Sequence, residues 1–205
     1  MTAPRYRIPA APHRVETEVL KSRFIATVER VTSADEARGF VERVRGEFAD
    51  ATHNCWAYVV GPPGSTACIG MSDDGEPHGT AGRPMLNVLL HAPVGDLAVV
   101  VTRYFGGTLL GKGGLVRAYA GAVQQCLAEL PTVEHVERVT LSVEIEYAGI
   151  DPFRRMLGAH EAEVIAEEFS VTAGYRVRLP TTRVEGFRAA LLDATSGDAL
   201  IELLP

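Results

Sequence analysis

Apolar and polar residues alternate from Thr17 to Val28, with Leu20, Phe24, Ala26 and Val28 on one face and Lys21 and Arg23 together on the other. A two-residue period predicts a strand or hairpin with a basic outer edge. The period then lengthens. Ser33 opens a capping box with Glu36, and Ala37, Phe40, Val41, Val44 and Phe48 recur at helical spacing, so a first helix runs to about Phe48. The runs HNCWAYVV and TACIGMS flank GPPGS, whose glycines and prolines force a turn, and the pair reads as a hairpin. After the acidic turn SDDGEPHG, Thr80 is expected to cap a helix whose Met85, Leu86, Leu89 and Leu90 face inward, with Pro84 tolerated in its first turn. DLAVVVTRYF is apolar on both faces at its start, as a central strand covered on both sides must be. A glycine-rich stretch follows. Leu115, Ala118, Tyr119, Ala122, Cys126 and Leu130 then form a buried helical stripe that stops at Pro131, with Arg117, Gly121, Gln124 and Gln125 opposite.

From Val136 the order of elements changes. VERVTLSVEIEY reads as a strand and DPFRRMLGAH as a short helix capped by Asp151. AEVIAEEFS and GYRVRLP read as strands, TTRVEGFRAALLDAT as an amphipathic helix ended by Gly197, and DALIELL as a last strand. The order β-α-β-β-α-β is the ferredoxin-like arrangement. The expected class is α+β in two domains, residues 1–135 and 136–205.

Composition adds little to this picture: 46% of the 205 residues are apolar and 22% charged, with no biased segment beyond the lead PRYRIPAAPH. The longest clean apolar run, Leu97 to Val101, is too short for a bilayer, and the N-terminus shows no leader pattern. The expectation is a cytoplasmic protein with no membrane partner that acts as a monomer. Three dispersed cysteines, Cys55, Cys68 and Cys126, make neither a disulfide framework nor a zinc site, so no metal or cofactor is expected. Charge is uneven. Residues 1–135 hold thirteen Lys and Arg against fourteen Asp and Glu, and residues 136–205 seven against twelve. With a net charge of −6, attraction to nucleic acid has to come from local patches in the first domain.

The candidate chemistry lies in RYFGGTLLGKGGLVRAYAG. Gly106, Gly111 and Lys112 fit the phosphate-cradling pattern GxxxxGK[ST], but Gly113 stands where a magnesium-binding hydroxyl belongs. Nucleotide hydrolysis is therefore not expected. The same glycines can relax a helix start packed close to a sheet, and the amides there, beside Lys112 and Arg103, can also receive a phosphate without hydrolysing it. Asp73, Asp74 and Glu76 can form an acidic site for a hard cation or acid–base work, or a turn ahead of a helix. His53 and Cys55 share a strand face, where a small core cysteine is the simpler reading than a nucleophile.

Three blocks together, KSRFIA, HNCWAY with SDDGEPHGTAGRPML, and VVVTRYFGGTLLGKGGLVRAYAGAV, strongly resemble the YigZ/IMPACT family, in which the last block is a signature. Positions that match its motifs are Lys21, Ser22, Arg23, Phe24, His53, Asp73, Asp74, Gly75, Glu76, Gly79, Thr80, Gly82, Arg103, Gly106, Gly107, Gly111, Gly113 and Gly114, whereas Lys112 falls in a variable slot. The resemblance implies a first domain with the fold of the second domain of a small-subunit ribosomal protein, shared with elongation factor G domain four. It implies a second domain like elongation factor G domain five. It also implies a link to translational control, known in eukaryotic relatives through the activator of a stress kinase. No catalytic residue carries over. The expected function is a non-enzymatic factor that binds RNA, the ribosome or a translation-associated protein through Lys21, Arg23, Arg103, Gly106, Gly107, Gly111, Lys112, Gly113, Gly114 and Arg117. Two alternatives stand beside it: an enzyme or phosphate-ligand sensor using Asp73, Asp74 and Glu76 opposite Arg103, and a module that competes for a translational regulator.

Overall fold

Strand β6 (Leu97–Tyr104) is buried along almost its whole length and organises the first of two units into which the chain divides, Tyr6–His135. It pairs antiparallel with β3 (Ser22–Arg30) on one side and β4 (His53–Val60) on the other. With β2 (His13–Val19) and β5 (Cys68–Ser72) the sheet has the order β2-β3-β6-β4-β5. Alternation divides β6 between two cores. Leu97, Val99 and Val101 pack under α2 (Gly82–His91) and α3 (Gly111–Glu129), while Ala98 and Val100 pack under α1 (Ala34–Glu47). A strand covered on both faces carries no polar alternation, which is why its sequence is a solid apolar run. The structure, a computed structural model, describes residues 5–204; Pro4, with which the lead begins, lies outside that range.

Residues 136–204, with Arg5, form the second unit. β8 (Arg138–Ile145), β9 (Glu163–Phe169), β10 (Ala173–Pro180) and β11 (Leu200–Leu204) make an antiparallel sheet of order β11-β8-β10-β9. Phe153 of α4 (Ile150–Met156) and Phe187 and Leu191 of α5 (Val184–Ala194) pack on Leu141, Val143, Tyr175 and Val177. The chain is therefore a two-domain α+β protein whose second domain is ferredoxin-like. Among the described residues no helix is long and apolar enough to cross a membrane.

Local details depart from the sequence pattern in four places. Leu20 and Lys21 form a two-residue turn between β2 and β3 with φ of 49° and 64°, so Lys21 stands at a hairpin tip rather than beside Arg23, and Leu20 is exposed. A turn of this kind interrupts the alternation that the periodicity assumed. Thr80 does not cap α2; its hydroxyl donates to the Pro77 carbonyl instead. Asp151 sits inside the first turn of α4, which begins one residue earlier. Finally, β1 (Tyr6–Pro9) and β7 (Thr132–His135) form a two-stranded antiparallel ribbon from segments too short to show a period.

Candidate functional site

Register places Arg103 between two motif residues: on the α2 and α3 side of the sheet it faces Phe24 of β3 and His53 of β4. There it is buried. Its Nη1 donates to Glu76 Oε1 at 2.5 Å, Nη2 lies 3.5 Å from Ser22 Oγ, and the guanidinium stands over the rings of Phe24 and Phe105. The Tyr119 hydroxyl of α3 donates to the same Glu76 oxygen at 2.9 Å. Cys55 Sγ lies 3.4 Å from that hydroxyl and 2.9 Å from the Asp73 carbonyl. Burial pushes the Cys55 thiol up to about 12 and raises the Tyr119 phenol further, so both stay protonated and neither is a nucleophile at neutral pH.

The acidic turn explains its own residue types. Asp74 and Gly75 both take positive φ, and Glu76 N donates back to the Asp73 carbonyl, which aims Glu76 inward. Asp74 turns away from Arg103: its Oδ2 accepts from Asn54 N at 2.7 Å and its Oδ1 from Arg45 at 2.5 Å. Asp73 accepts from the amides of Gly79, Ala81 and Gly82 at 2.8–3.0 Å and so caps α2, the role the sequence had assigned to Thr80. Of the expected acidic site only Glu76 therefore meets Arg103, because the tight turn splays the three carboxylates onto different partners.

Partial burial works to raise the Asp73 carboxyl, but the three amides and His78 outweigh it and hold the group below its ordinary range. A depressed carboxyl stabilises the fold above its unfolded pKa and loses that contribution as pH falls through the folded value. Asp73→Ala is expected to lose about 1–2 kcal/mol at neutral pH, a typical helix-cap loss. The gap from the parent should narrow below about pH 4, as urea unfolding at several pH values would register.

The glycine loop is sealed at one end and open at the other. Phe105 N donates to Thr52 Oγ1 and Gly106 N to Ser22 Oγ, so these two amides are not available to a ligand. Arg23 is held by Glu16 at 2.8 Å and stacks on Tyr104. Arg103 consequently drops out of the expected contact surface, because it is buried on the covered sheet face; Arg23 stays half exposed but on the α1 side of the sheet, away from the start of α3, and the Gly106 amide is taken by Ser22. Gly107, Gly111, Lys112, Gly113, Gly114 and Arg117 remain around the start of α3, with Lys21 on the hairpin tip. The helix begins at Gly111 with no side-chain cap and no acidic residue in its first turn. Arg117 reaches back over that turn, its Nη1 lying 3.8 Å from the position a Gly113 side chain would take. A cavity of about 230 Å3 lies between tip and helix, lined by Leu20, Leu110, Gly114 and Arg117 among others.

Residues 20–127 match the Impact N-terminal domain family and residues 133–198 match the domain of unknown function DUF1949. The chain belongs to the IMPACT family. It is 42% identical to the IMPACT family member YigZ of Escherichia coli over 93% of each chain. It is 36% identical to an IMPACT family member of Haemophilus influenzae over 97% of each, and 34% identical to YvyE of Bacillus subtilis over 94% of this chain and 87% of that one. A crystal structure described as that of a hypothetical protein superposes with a TM-score of 0.69 at 40% identity, covering 98% of both chains. In this IMPACT family chain the motif residues Ser22, Phe24, Glu76 and Arg103 converge on one buried network, with His53 Nε2 at its edge 4.0 Å from Glu76 Oε1. Two members escaped sequence reasoning. Tyr119 read only as part of an apolar stripe and Ser22 only as a motif position; a tyrosine in a core stripe needs a partner for its hydroxyl, which was the available signal.

Proposed function

We propose that this protein is a non-enzymatic, translation-associated cytoplasmic factor that binds RNA, free or within a ribosomal particle, through the tip of its first domain. The observation that carries the proposal is the uncapped start of α3. The first amides of a helix concentrate positive charge, and here Lys112 and Arg117 add to it where an acidic residue would ordinarily offset it. None of Lys21, Lys112 and Arg117 has a carboxylate within ion-pair distance among the described residues.

Two further features support the same surface. Leu20 and Lys21 hold left-handed backbone that favours Asn-Gly, and such strain is commonly kept where a side chain is needed for contact. Phe105 and Leu109 are exposed on the loop beside them, giving flat or apolar surface against which a base can lie. One chain carries the whole surface, so a monomer suffices. The alternative of an acidic-turn enzyme has less support, since Glu76, Asp73 and Asp74 are each engaged by partners within the protein.

Because the whole molecule is acidic, contact here is short-ranged and strongly salt-dependent. Lys112→Glu combined with Arg117→Glu should weaken binding to ribosomal RNA at low salt by more than about tenfold. It should also flatten the salt dependence by about one unit of slope for each phosphate contact removed. Filter binding across a salt series measures both. Undetectable affinity at low salt, or an unchanged affinity in the variant, rejects the proposal, as does association with ribosomal fractions that survives nuclease.

A further inference from the structure

The α1 side of the first sheet is unevenly covered. A helix is about 10 Å across, whereas five strands at a spacing near 4.8 Å span about 19 Å, so one helix leaves both flanks of the sheet open. On the β2 flank the open positions are charged and paired: Arg14 with Glu47, Arg23 with Glu16, and Arg43 with Glu29. Water can solvate that flank. On the β5 flank the corresponding positions are Trp56 and Tyr58, whose rings lie 9° from parallel with centroids 5.9 Å apart. Tyr58 is swung flat over the edge strand, which is possible only because its partner is Gly70; a Cβ there would lie 2.4 Å from the Tyr58 ring.

Between these rings and α1 is a half-open cavity of about 210 Å3, walled by Val41 and rimmed by Arg38, Glu42 and Arg45. It is smaller than the ~300–1,000 Å3 of pockets for drug-sized ligands and suits a single planar ring system. Flat aromatic walls favour stacking or edge contact with such a ring, and Glu42, held at Oε1 by Arg45 at 3.0 Å, keeps its second oxygen as an acceptor for a ring amino group. Among the described residues Arg38 is held only by Asp35 one helical turn away, with the two side chains 65% and 86% exposed. A pair that exposed contributes little and yields readily to a stronger anion.

We propose that this cavity binds the heteroaromatic ring of a nucleotide, with the attached phosphate directed to Arg38. The ring belongs either to a free mononucleotide or to one base of an RNA strand. The site lies on the α1 side of the sheet, opposite the α2 and α3 side that carries the tip, and does not depend on the RNA surface proposed there.

Trp56 is the only tryptophan in the chain, so its emission reports the cavity directly. The full-length protein is titrated with adenosine, guanosine and uridine 5′-monophosphates, with ribose 5-phosphate as a ringless control, and with a short single-stranded oligoribonucleotide. Saturable quenching by at least one ring-bearing probe and none by ribose 5-phosphate is expected. Quenching by a mononucleotide assigns the free ligand, and quenching by the oligonucleotide alone assigns the strand. Arg38→Glu, an exposed substitution, should weaken the response about tenfold, the order expected for one charge-assisted contact. Lys112→Glu should leave the mononucleotide response in place. The absence of saturable quenching by any probe, an equal response to ribose 5-phosphate, or an unchanged response in Arg38→Glu overturns the site. A response that falls in Lys112→Glu but not in Arg38→Glu moves the binding to the tip and overturns it equally.

Discussion

Glu76→Ala is expected to destabilise the first domain by about 3–5 kcal/mol, the usual consequence of leaving one member of a buried ion pair without the other. Arg103 and Glu76 are 7% and 3% exposed at the side chain, so solvent cannot replace the lost carboxylate. Two donors lose their acceptor together, the Arg103 guanidinium and the Tyr119 hydroxyl. Against a typical domain stability of about 5–15 kcal/mol the loss brings the domain near unfolding. A control separates charge isolation from lost packing: Arg103→Met with Glu76→Leu removes both charges and should recover much of the deficit, since apolar replacement of a buried pair is often neutral. Urea unfolding followed at Trp56 reads the first domain alone, because the second has no tryptophan. A loss under about 1 kcal/mol, the range of exposed pairs, would mean that the network is solvated after all.

Gly106→Ala is the second large effect. A Cβ at this position would sit 2.0 Å from the Lys21 carbonyl carbon and 2.4 Å from Ser22 N. These are backbone atoms of a tight turn and cannot rotate aside. The loop and the hairpin tip must separate, which breaks the bond from Gly106 N to Ser22 Oγ and disturbs the serine that also faces Arg103. Forced overpacking of this sort costs about 1–3 kcal/mol. It should also lower RNA affinity, because Lys21 moves away from Lys112 and Arg117. Gly107→Ala is the comparison: its φ of 82° is strained for alanine, but nothing lies within 4 Å of the added methyl. It should lose only about 1–2 kcal/mol of backbone strain and keep the tip assembled. Equal RNA binding by the parent and by Gly106→Ala would show that the tip geometry is not needed for contact.

Much of the architecture was legible because it follows from local periods. The capping box at Ser33 marks the start of α1, and the double-faced apolar run of β6 announces a covered central strand. The β-α-β-β-α-β order of the second domain survives into its sheet of order β11-β8-β10-β9. Site chemistry was legible only in part. Residue types around Asp73 and Gly106 pointed to something special, yet the sequence grouped Arg103 with Lys112 as neighbouring cations. Nine positions of chain separate them, and the structure sends one into the core and leaves the other in solvent.

By itself the sequence determined which segments are strands and helices, which faces are apolar, and that glycine and acidic turns fall at two strand–helix junctions. These are properties of residues within a few positions of each other. Only the tertiary structure decided that Glu76 meets Arg103, that Asp73 rather than Thr80 caps α2, and that Trp56 and Tyr58 stand beside an open flank. Each of those depends on strand register and on the width of a helix laid across a sheet, and both are set by contacts between distant parts of the chain.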